Sequence, residues 1–242
     1  IDGERVNNEF HVSGTEYSYT PHYTTIGEHS VRLYAVGDGF NTINSDSANY
    51  TQVVKACLAP EIEFSYSNEY FVNGGSIDVV ITKASANCSQ YLYEIAGESI
   101  SSASLSASKQ IESTGTYSVR VKALGGTFDE NNVYYIDSQY AGGGSGYSIT
   151  LLAPPTVSSF SLNSDGAVKW ATITDASGYD YQISYDGGEY GEVIHTGTAS
   201  LNELISNYKN YKTIKIRVRA CGNGENTITS AWAEWIWSNP NK

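Results

Sequence analysis

The sequence predicts an all-β protein built from tandem two-sheet β-sandwiches. One short pattern occurs three times, as HSVRLYA at 29–35, YSVRVKA at 117–123 and IKIRVRA at 214–220. Each copy alternates in character with a period of two, which is the pattern of a strand with one buried face. Gly, Asn and Asp residues flank these segments, and no long amphipathic helix is indicated. Only 201–208 has room for a helical turn or two.

A second marker sets the length of the repeat. Leu58-Ala59-Pro60 recurs as Leu152-Ala153-Pro154, a spacing of 94 residues. The same spacing relates IAGE at 95–98 to IDGE at 1–4, so the chain is expected to begin inside its first repeat, about 36 residues late. Three domains are predicted: a partial sandwich at 1–54 that lacks its first two strands, a second sandwich at 55–152 and a third at 153–242.

The third repeat gives the clearest order of strands. Its segments alternate with turns in a way that predicts a sandwich of seven short strands in two sheets. We expect these segments at 157–162, 166–170, 179–185, 192–195, 201–205 (a crossing segment), 214–220 and 232–237. In the second repeat, Val119 and Val121 are expected to face the core, whereas Arg120 and Lys122 face solvent.

Particular residues of the third repeat carry a family resemblance. They are Trp170, Tyr181, Ile183, the run 214–220, Gly222-Asn223-Gly224 and Ser230-Ala231-Trp232. On these residues the repeat resembles the fibronectin type III family of immunoglobulin-like sandwiches. The second repeat shares the run 117–123 and the Gly125-Gly126 turn, but has Val79-Val80-Ile81 in place of the tryptophan and a Tyr/Gly-rich stretch at 131–147. The first repeat matches only from its third strand onward.

The resemblance implies tandem Greek-key sandwiches and a non-catalytic module of a secreted or cell-surface protein. Fold analogy alone assigns no ligand. The segments 54–60 and 151–155 are predicted to be linkers. Proline restrains the preceding residue to extended geometry, so these joints are expected to be short and semi-rigid, giving a rod of end-to-end sandwiches.

The first unit is the least complete. It contains a third-strand start, a crossing region at 10–23, the first marker strand and a closing strand near 50–54. A sandwich without two strands exposes apolar core and open edges. Three explanations stay open: a fragment of a longer repeat protein, a smaller divergent sandwich, or completion by a strand from a neighbouring molecule, which would make the chain a filament subunit.

Charge and hydropathy exclude two classes of partner. The net charge is −12 and only 14 Lys and Arg are spread over 242 residues. Nucleic acid requires clustered cations, so no nucleic-acid partner is expected. There is no apolar run of about 18 residues, so no membrane insertion is expected.

The sequence offers little chemistry, and we expect no enzyme, no cofactor and no metal. His11, His22, His29 and His195 share no metal-ligand spacing and have no Cys or Asp set close by in sequence. His29 takes the strand position of Tyr117 and is expected to be half-buried. The run 129–132 (DENN) lacks the alternating order of a calcium loop and is interpreted as a solvated turn.

The three cysteines give weak redox evidence. Cys57 precedes the first strand of the second repeat and Cys88 follows its second strand. If those strands pair antiparallel, the two are a candidate disulfide, and the alternative is two free thiols. Cys221 has no partner in its own repeat and is expected to be free.

Aromatic residues are the best ligand-binding candidates. Exposed flat rings stack on sugars or contact proteins, whereas the alternative is that these rings pack into the core or locally. The candidates are Tyr134, Tyr135, Tyr140 and Tyr147, expected to crowd one loop, and Trp235 and Trp237 on the last strand.

The predicted function is a non-catalytic extracellular structural or adhesive segment that acts as a semi-rigid spacer and display rod of a larger surface protein. Its partners would be a protein or glycan at a cell surface, or further copies of itself. Two alternatives remain: a carbohydrate-binding module that uses the exposed Tyr and Trp, and a filament subunit completed by strand donation.

Overall fold

The computed structural model describes residues 1–2, 22–72 and 74–242, and these residues are all-β. Two three-residue 3-10 helices, at Val157–Ser159 and Tyr208–Asn210, accompany the strands. The strands are β1 (Gly27–Leu33), β2 (Ala48–Ala56), β3 (Glu61–Tyr66), β4 (Gly75–Lys83), β5 (Gln90–Ile95), β6 (Glu98–Ser102), β7 (Ser106–Ile111), β8 (Gly115–Leu124), β9 (Thr127–Phe128), β10 (Tyr134–Ile136), β11 (Tyr147–Leu151), β12 (Ser161–Leu162), β13 (Val168–Lys169), β14 (Gly178–Tyr185), β15 (Ile194–Thr196), β16 (Thr213–Cys221), β17 (Thr227–Ile228) and β18 (Ala233–Ser238).

The second sandwich packs a three-stranded sheet, β3-β4-β7, against a sheet in which β11, β8, β5 and β6 are neighbours. β8 carries the second marker pattern and lies between β5 and β11, antiparallel to both. Val119 and Val121 of β8 are fully buried, which confirms the face predicted by their alternation. They pack in one core with Ile77, Val79 and the aromatic ring of Tyr93.

The third sandwich repeats this plan with shorter strands. The sheet order is β15-β14-β16-β18, and the hairpin β12-β13 lies opposite. β16, the third marker strand, pairs with β14 along Gly178–Tyr185 and with β18 on its other side. Trp170 fills the core between the sheets, with its ring 5.6 Å from that of Tyr179 and 5.7 Å from that of Phe160. The tryptophan that carried the resemblance is therefore a packing residue.

In the second and third sandwiches, a serine bonds the end of the marker strand in the same way. The Ser138 amide donates to the Ala123 carbonyl and its Oγ accepts from the Ala123 amide, both at 2.9 Å. The Ser230 amide and Oγ make the same two bonds to Ala220, also at 2.9 Å. The side chain thus continues the edge of the marker strand where the backbone of the following segment turns away.

The described part of the first unit is a hairpin extended by the second unit. β1 pairs antiparallel with β2, and β2 pairs in parallel with β10 of the second unit, giving the order β1-β2-β10-β9. Val54, Tyr23 and Tyr134 form a small core there. The crossing region predicted at 10–23 falls outside the described residues except for 22–23, as does most of the segment 1–4.

Several predicted elements differ from the structure. The first strand of the third repeat, predicted at 157–162, begins with the 3-10 turn Val157–Ser159, because the Ser159 amide and Oγ both bond the Thr156 carbonyl. The stretch 131–147 is not one loop: it contains β10 and the start of β11. The linker predicted at 54–60 is shorter, since β2 continues to Ala56. The turn predicted at 201–208 is a 3-10 turn at Tyr208–Asn210.

Removing the Ser230 hydroxyl tests the serine contact. Ser230 is fully buried, and Ser230→Ala leaves the buried Ala220 amide without its acceptor. An unsatisfied buried donor costs about 1–3 kcal/mol, so the free energy of unfolding of the third sandwich should fall by about that amount in urea titration. Ser206→Ala, at an exposed site, is the matched control and should change it by less than about 0.5 kcal/mol. Equal effects of the two substitutions would contradict this assignment.

Candidate functional site

The four candidate tyrosines lie in different environments. Tyr134 is buried, with its ring 5.2 Å from that of Tyr23 and 4.9 Å from that of Phe128. Tyr135 is half-buried, and its hydroxyl donates to Asp129 Oδ2 at 3.2 Å. These two rings therefore pack where the first and second units meet.

Tyr140 and Tyr147 lie on the second sandwich itself. The Arg120 guanidinium lies 4.6 Å from the centre of the Tyr140 ring, a cation–π contact. Tyr147 has 36% of its surface exposed, and the centre of its ring lies 5.3 Å from that of Phe64. Each ring thus has its own partner, and the tyrosines do not crowd one loop.

Trp235 and Trp237 share one face of β18, as predicted, and that face covers the core of the third sandwich. Trp235 stacks on Phe160 with ring centres 5.8 Å apart, and Trp237 meets Tyr208 edge-on at 5.3 Å. Both are half-buried. The six candidate aromatics therefore form no common flat platform, and their role in ligand binding stays a prediction.

The outer face of the third sandwich holds a row of stacked cations and rings. The Arg217 guanidinium lies between Tyr190, at 4.4 Å, and Trp232, at 4.9 Å. The Arg219 guanidinium covers the same indole at 4.7 Å. The Tyr190 hydroxyl donates to a Glu234 carboxylate oxygen at the end of the row. Such contacts contribute about 0.5–1 kcal/mol each at exposed sites, so the row stabilises the arrangement of side chains on this face.

Three polar side chains, Asp180, His195 and Cys221, lie next to Arg219 at the end of this row. We call them the Asp180 cluster. They lie on the adjacent strands β14, β15 and β16, where Asp180 is the direct partner of His195 and Cys221 is the partner of Gly178. His195 Nδ1 lies 2.9 Å from Asp180 Oδ1 and 4.0 Å from Cys221 Sγ. Their ligand-type atoms all lie within 4.8 Å of one another.

Arg219 fixes the orientation of the carboxylate in this cluster. Its Nε and Nη2 both donate to Asp180 Oδ2, at 3.0 and 2.9 Å, which leaves Oδ1 toward His195. Burial raises the pKa of Asp180, but hydrogen bonds from His195 and Arg219 outweigh it, so the pKa lies below its usual value. Burial, followed by the neighbouring Asp180, raises the pKa of the Cys221 thiol to about 11. Asp180 is thus charged and Cys221 is a thiol at neutral pH.

Sequence reasoning missed this cluster because it depends on strand register. The alternation of the two strands already predicts that Asp180 and Cys221 both lie on outward faces, and this pattern is visible in the sequence. His195 lies 15 residues from Asp180 and 26 from Cys221 along the chain, distances at which no ligand spacing is recognisable. The expectation that the histidines have no Cys or Asp set nearby is therefore wrong for His195, because the fold brings Asp180 and Cys221 close to it.

The other histidines have different surroundings. His29, expected to be half-buried, is buried, and its Nδ1 lies 2.5 Å from Asp2 Oδ2. That hydrogen bond raises the pKa of His29 above its ordinary value, and it is the largest cause of the lowered pKa of Asp2. His22 is exposed, and His11 lies outside the described residues.

The acidic run at 129–132 forms a turn through its own hydrogen bonds. Asp129 Oδ1 accepts the amides of Val133 at 2.9 Å and Asn131 at 3.0 Å. The Asn132 carbonyl in turn accepts from Gln52 Nε2 of the first unit at 2.7 Å. The Asp129 oxygens thus hold a loop that contacts the preceding unit, consistent with the predicted turn.

All three cysteines are free thiols in the structure. Cys57 Sγ donates to the Asn87 carbonyl at 3.3 Å, and Cys88 Sγ to the Ser85 carbonyl at 3.4 Å. Both thiols thus contact one turn, 85–88. Burial, with Cys88 as the next cause, raises the pKa of Cys57 to about 11. Their oxidation to a disulfide stays a prediction.

The fold of the second and third units is fibronectin type III-like. In the second unit, β3, β4 and β7 form one sheet and β11, β8, β5 and β6 form the other, which is a Greek-key sandwich. β9 and β10 lie outside it, in the sheet with β1 and β2. No helix of the described residues is long and apolar enough to cross a membrane.

The chain is similar in fold to solved structures of other proteins. The chain is similar to the FN1–FN3 domains of chicken CNTN1, at 16% identity and a TM-score of 0.29 over 86% of this chain and 77% of that one. It is also similar to a two-domain fibronectin type III segment of chicken tenascin, at 12% identity and a TM-score of 0.35 over 74% of this chain and 98% of that one. No family model and no curated protein matches.

The Asp129 turn predicts a pH-dependent effect. Hydrogen bonds, chiefly from the Val133 amide, hold the pKa of Asp129 below its ordinary value of 3.8. A lowered folded-state pKa stabilises the fold above the unfolded value, and this stabilisation is lost as the pH falls through the folded value. Asp129→Ala should therefore lower the melting temperature at pH 7, and the difference from wild type should shrink progressively below pH 3.8. Glu130→Ala, at the exposed neighbour, is the control, and a difference that persists undiminished into acid would contradict this account.

Proposed function

We propose that the chain is a non-catalytic structural and adhesive repeat segment of an extracellular protein, in which it acts as a semi-rigid spacer that displays its loops. The observation that carries this proposal is the way consecutive units are joined. At both junctions a short segment that follows the marker strand of one unit pairs in parallel with the last strand of the unit before it.

The junction between the second and third sandwiches shows the arrangement most clearly. β17 pairs in parallel with β11, placing Leu151 beside Ile228. The Leu152 amide donates to the Ile228 carbonyl at 3.1 Å, and the Thr150 amide to the Asn226 carbonyl at 2.7 Å. A third bond runs from the Phe71 amide to the same segment, at the Thr229 carbonyl. Backbone hydrogen bonds therefore connect the segment 226–229 of the third unit to two parts of the second unit, the end of β11 and the loop at Phe71.

Side chains cross this joint in both directions. Ile228 of the third unit packs against the core of the second sandwich. Leu152, at the end of the second, is buried in the core of the third with 2% of its surface exposed. Bending the joint would expose both side chains to water, at a cost of roughly 1.5–3 kcal/mol for the buried Leu152 and less for Ile228, which is partly buried.

The junction between the first and second units uses the same elements. β10 pairs in parallel with β2 from Tyr134 to Ile136, and the Cys57 amide donates to the Ile136 carbonyl at 2.9 Å. Gln52 Nε2 reaches the Asn132 carbonyl at 2.7 Å beside it. Two joints of one design are what a spacer needs, because units linked by flexible chain alone move independently.

The remaining features support the same role. The net charge of −12 keeps such segments dispersed. The loops at the ends of rigid sandwiches are where contacts with a partner protein or glycan would be made. A carbohydrate platform built from the six predicted aromatics has less support, since each of those rings packs against a different neighbour.

Deleting residues 225–228 tests the proposed stiffness. The deletion removes β17 and the Asn226 and Ile228 carbonyls, and it leaves Gly222-Asn223-Gly224 to connect β16 to Thr229. Small-angle X-ray scattering should then show a broader distribution of maximum dimensions, because the joint loses its pairing with β11 and keeps only the bond from the Phe71 amide to the Thr229 carbonyl. Wild type should fit one extended arrangement.

A deletion of equal length is the control. Removing 142–145, an exposed Gly-rich turn of the second sandwich, should leave the scattering profile of the wild type unchanged. Thermal melts of both variants report whether each sandwich stays folded. A 225–228 deletion that scatters like wild type would contradict the stiffening role of the junction, and wild-type particles larger than about 26 kDa that persist on dilution would favour a filament subunit instead.

A further inference from the structure

We propose that Asp180, His195 and Cys221 form a binding site for a divalent transition metal of the zinc class on the outer face of the third sandwich. This assignment goes beyond the spacer role and reverses the sequence-based expectation of no metal. It stands on the convergence of three different ligand types from three adjacent strands.

The atoms of Asp180, His195 and Cys221 that could bind a metal lie close to one another. One ligand-type atom from each of Asp180, His195 and Cys221 lies within 4.8 Å of the other two. His195 Nδ1 is 2.9 Å from Asp180 Oδ1 and 4.0 Å from Cys221 Sγ. A tetrahedral zinc ion with ordinary bond lengths holds such atoms about 3.3 to 3.6 Å apart. To bind the ion, the oxygen and nitrogen atoms would move slightly apart and the sulfur would move closer to the nitrogen, changes of the kind that side-chain rotation supplies.

The geometry distinguishes a metal site from a nucleophilic relay. In a relay, one imidazole nitrogen faces the thiol and the other faces the carboxylate. Here the same nitrogen, His195 Nδ1, lies 2.9 Å from Asp180 Oδ1 and 4.0 Å from Cys221 Sγ. A position between three atoms that point inward suits a cation that accepts electron pairs from all of them.

Gly178 makes room for the imidazole ring. A Cβ at this position would lie 2.8 Å from both Cε1 and Nε2 of His195. The ring therefore rests over bare backbone, next to the strand position of Cys221. The absence of a side chain at residue 178 lets the His195 ring approach the sheet closely enough for Nδ1 to face its two partners.

Arg219 is a positioning residue for this site. By holding Asp180 Oδ2 through two hydrogen bonds, it leaves Oδ1 for the cation and fixes the plane of the carboxylate, as outer-shell partners of metal ligands do. Its own positive charge lowers the affinity. The Asp180 carboxylate and a Cys221 thiolate together supply two negative charges, which balance the divalent ion.

The donor set defines the class of ion. One nitrogen, one sulfur and one oxygen suit zinc or cobalt, whereas calcium and magnesium require oxygen ligands. On binding, a metal–sulfur bond replaces the S–H bond of Cys221, and the proton passes to solvent. Because a metal would take the lone pair of His195 Nδ1, the hydrogen bond from this nitrogen to Asp180 would be lost and the ring proton would lie on Nε2. Three protein ligands leave a fourth position for water or a partner's side chain.

Cobalt(II) titration of the freshly reduced chain tests the site. Tetrahedral cobalt bound to a thiolate absorbs in the near ultraviolet through sulfur-to-metal charge transfer, so wild type should develop this band at one equivalent. One equivalent of zinc should abolish it, and calcium or magnesium should not. Cys221→Ser should abolish the band, and His195→Gln should weaken cobalt binding by at least about tenfold.

Cys88→Ser is the matched control, since Cys88 is another partly exposed thiol but lies in the second sandwich. It should bind cobalt as wild type does, and circular dichroism of each variant should confirm a folded protein. The proposal is overturned if wild type gives no charge-transfer band, if the band survives Cys221→Ser, or if Cys88→Ser removes it. These outcomes leave the scattering test of the junction unaffected.

Discussion

The parallel pairing between consecutive units is the interaction on which the arrangement of this chain depends. The last strand of an isolated sandwich has an open edge, which pairs readily with other chains. In this structure the edges of β2 and β11 are covered by β10 and β17 of the following unit. The same bonds that remove the open edge also join the next sandwich to it, so protection of the edge and the proposed stiffness of the chain would have one physical cause.

The marker strands explain why each sandwich has an apolar core and a polar, charged outer face. In β16, Ile214, Ile216 and Val218 are fully buried, whereas Arg217 and Arg219 between them stack on outer-face rings. Because the period is two, the strand can present an apolar face to the core while the opposite face varies. The Asp180 cluster is built on that variable face, where a change of residue leaves the packing of the core intact.

The sequence predicts well what periodicity and bulk determine. The strands β8, β14, β16 and β18 follow from alternation over six or more residues, and Trp170 follows from the family resemblance. β9 and β17 are two residues long and β10 is three, too short for a period to appear, and β10 and β17 are held by the neighbouring unit. The Asp180 cluster escaped for a related reason: it requires the register between β14 and β15, which no local pattern encodes.

Hydrogen exchange at the Leu152 amide, followed by nuclear magnetic resonance, tests the central claim most directly. This amide lies beyond the end of β11 and donates to the Ile228 carbonyl of the next unit, so its protection reports on the junction. The account predicts slow exchange at Leu152, close to that of amides within β8, and acceleration when 225–228 is deleted. Exchange at the rate of an unprotected peptide in the intact chain would mean that the units are joined by flexible linkers alone, and would contradict the account.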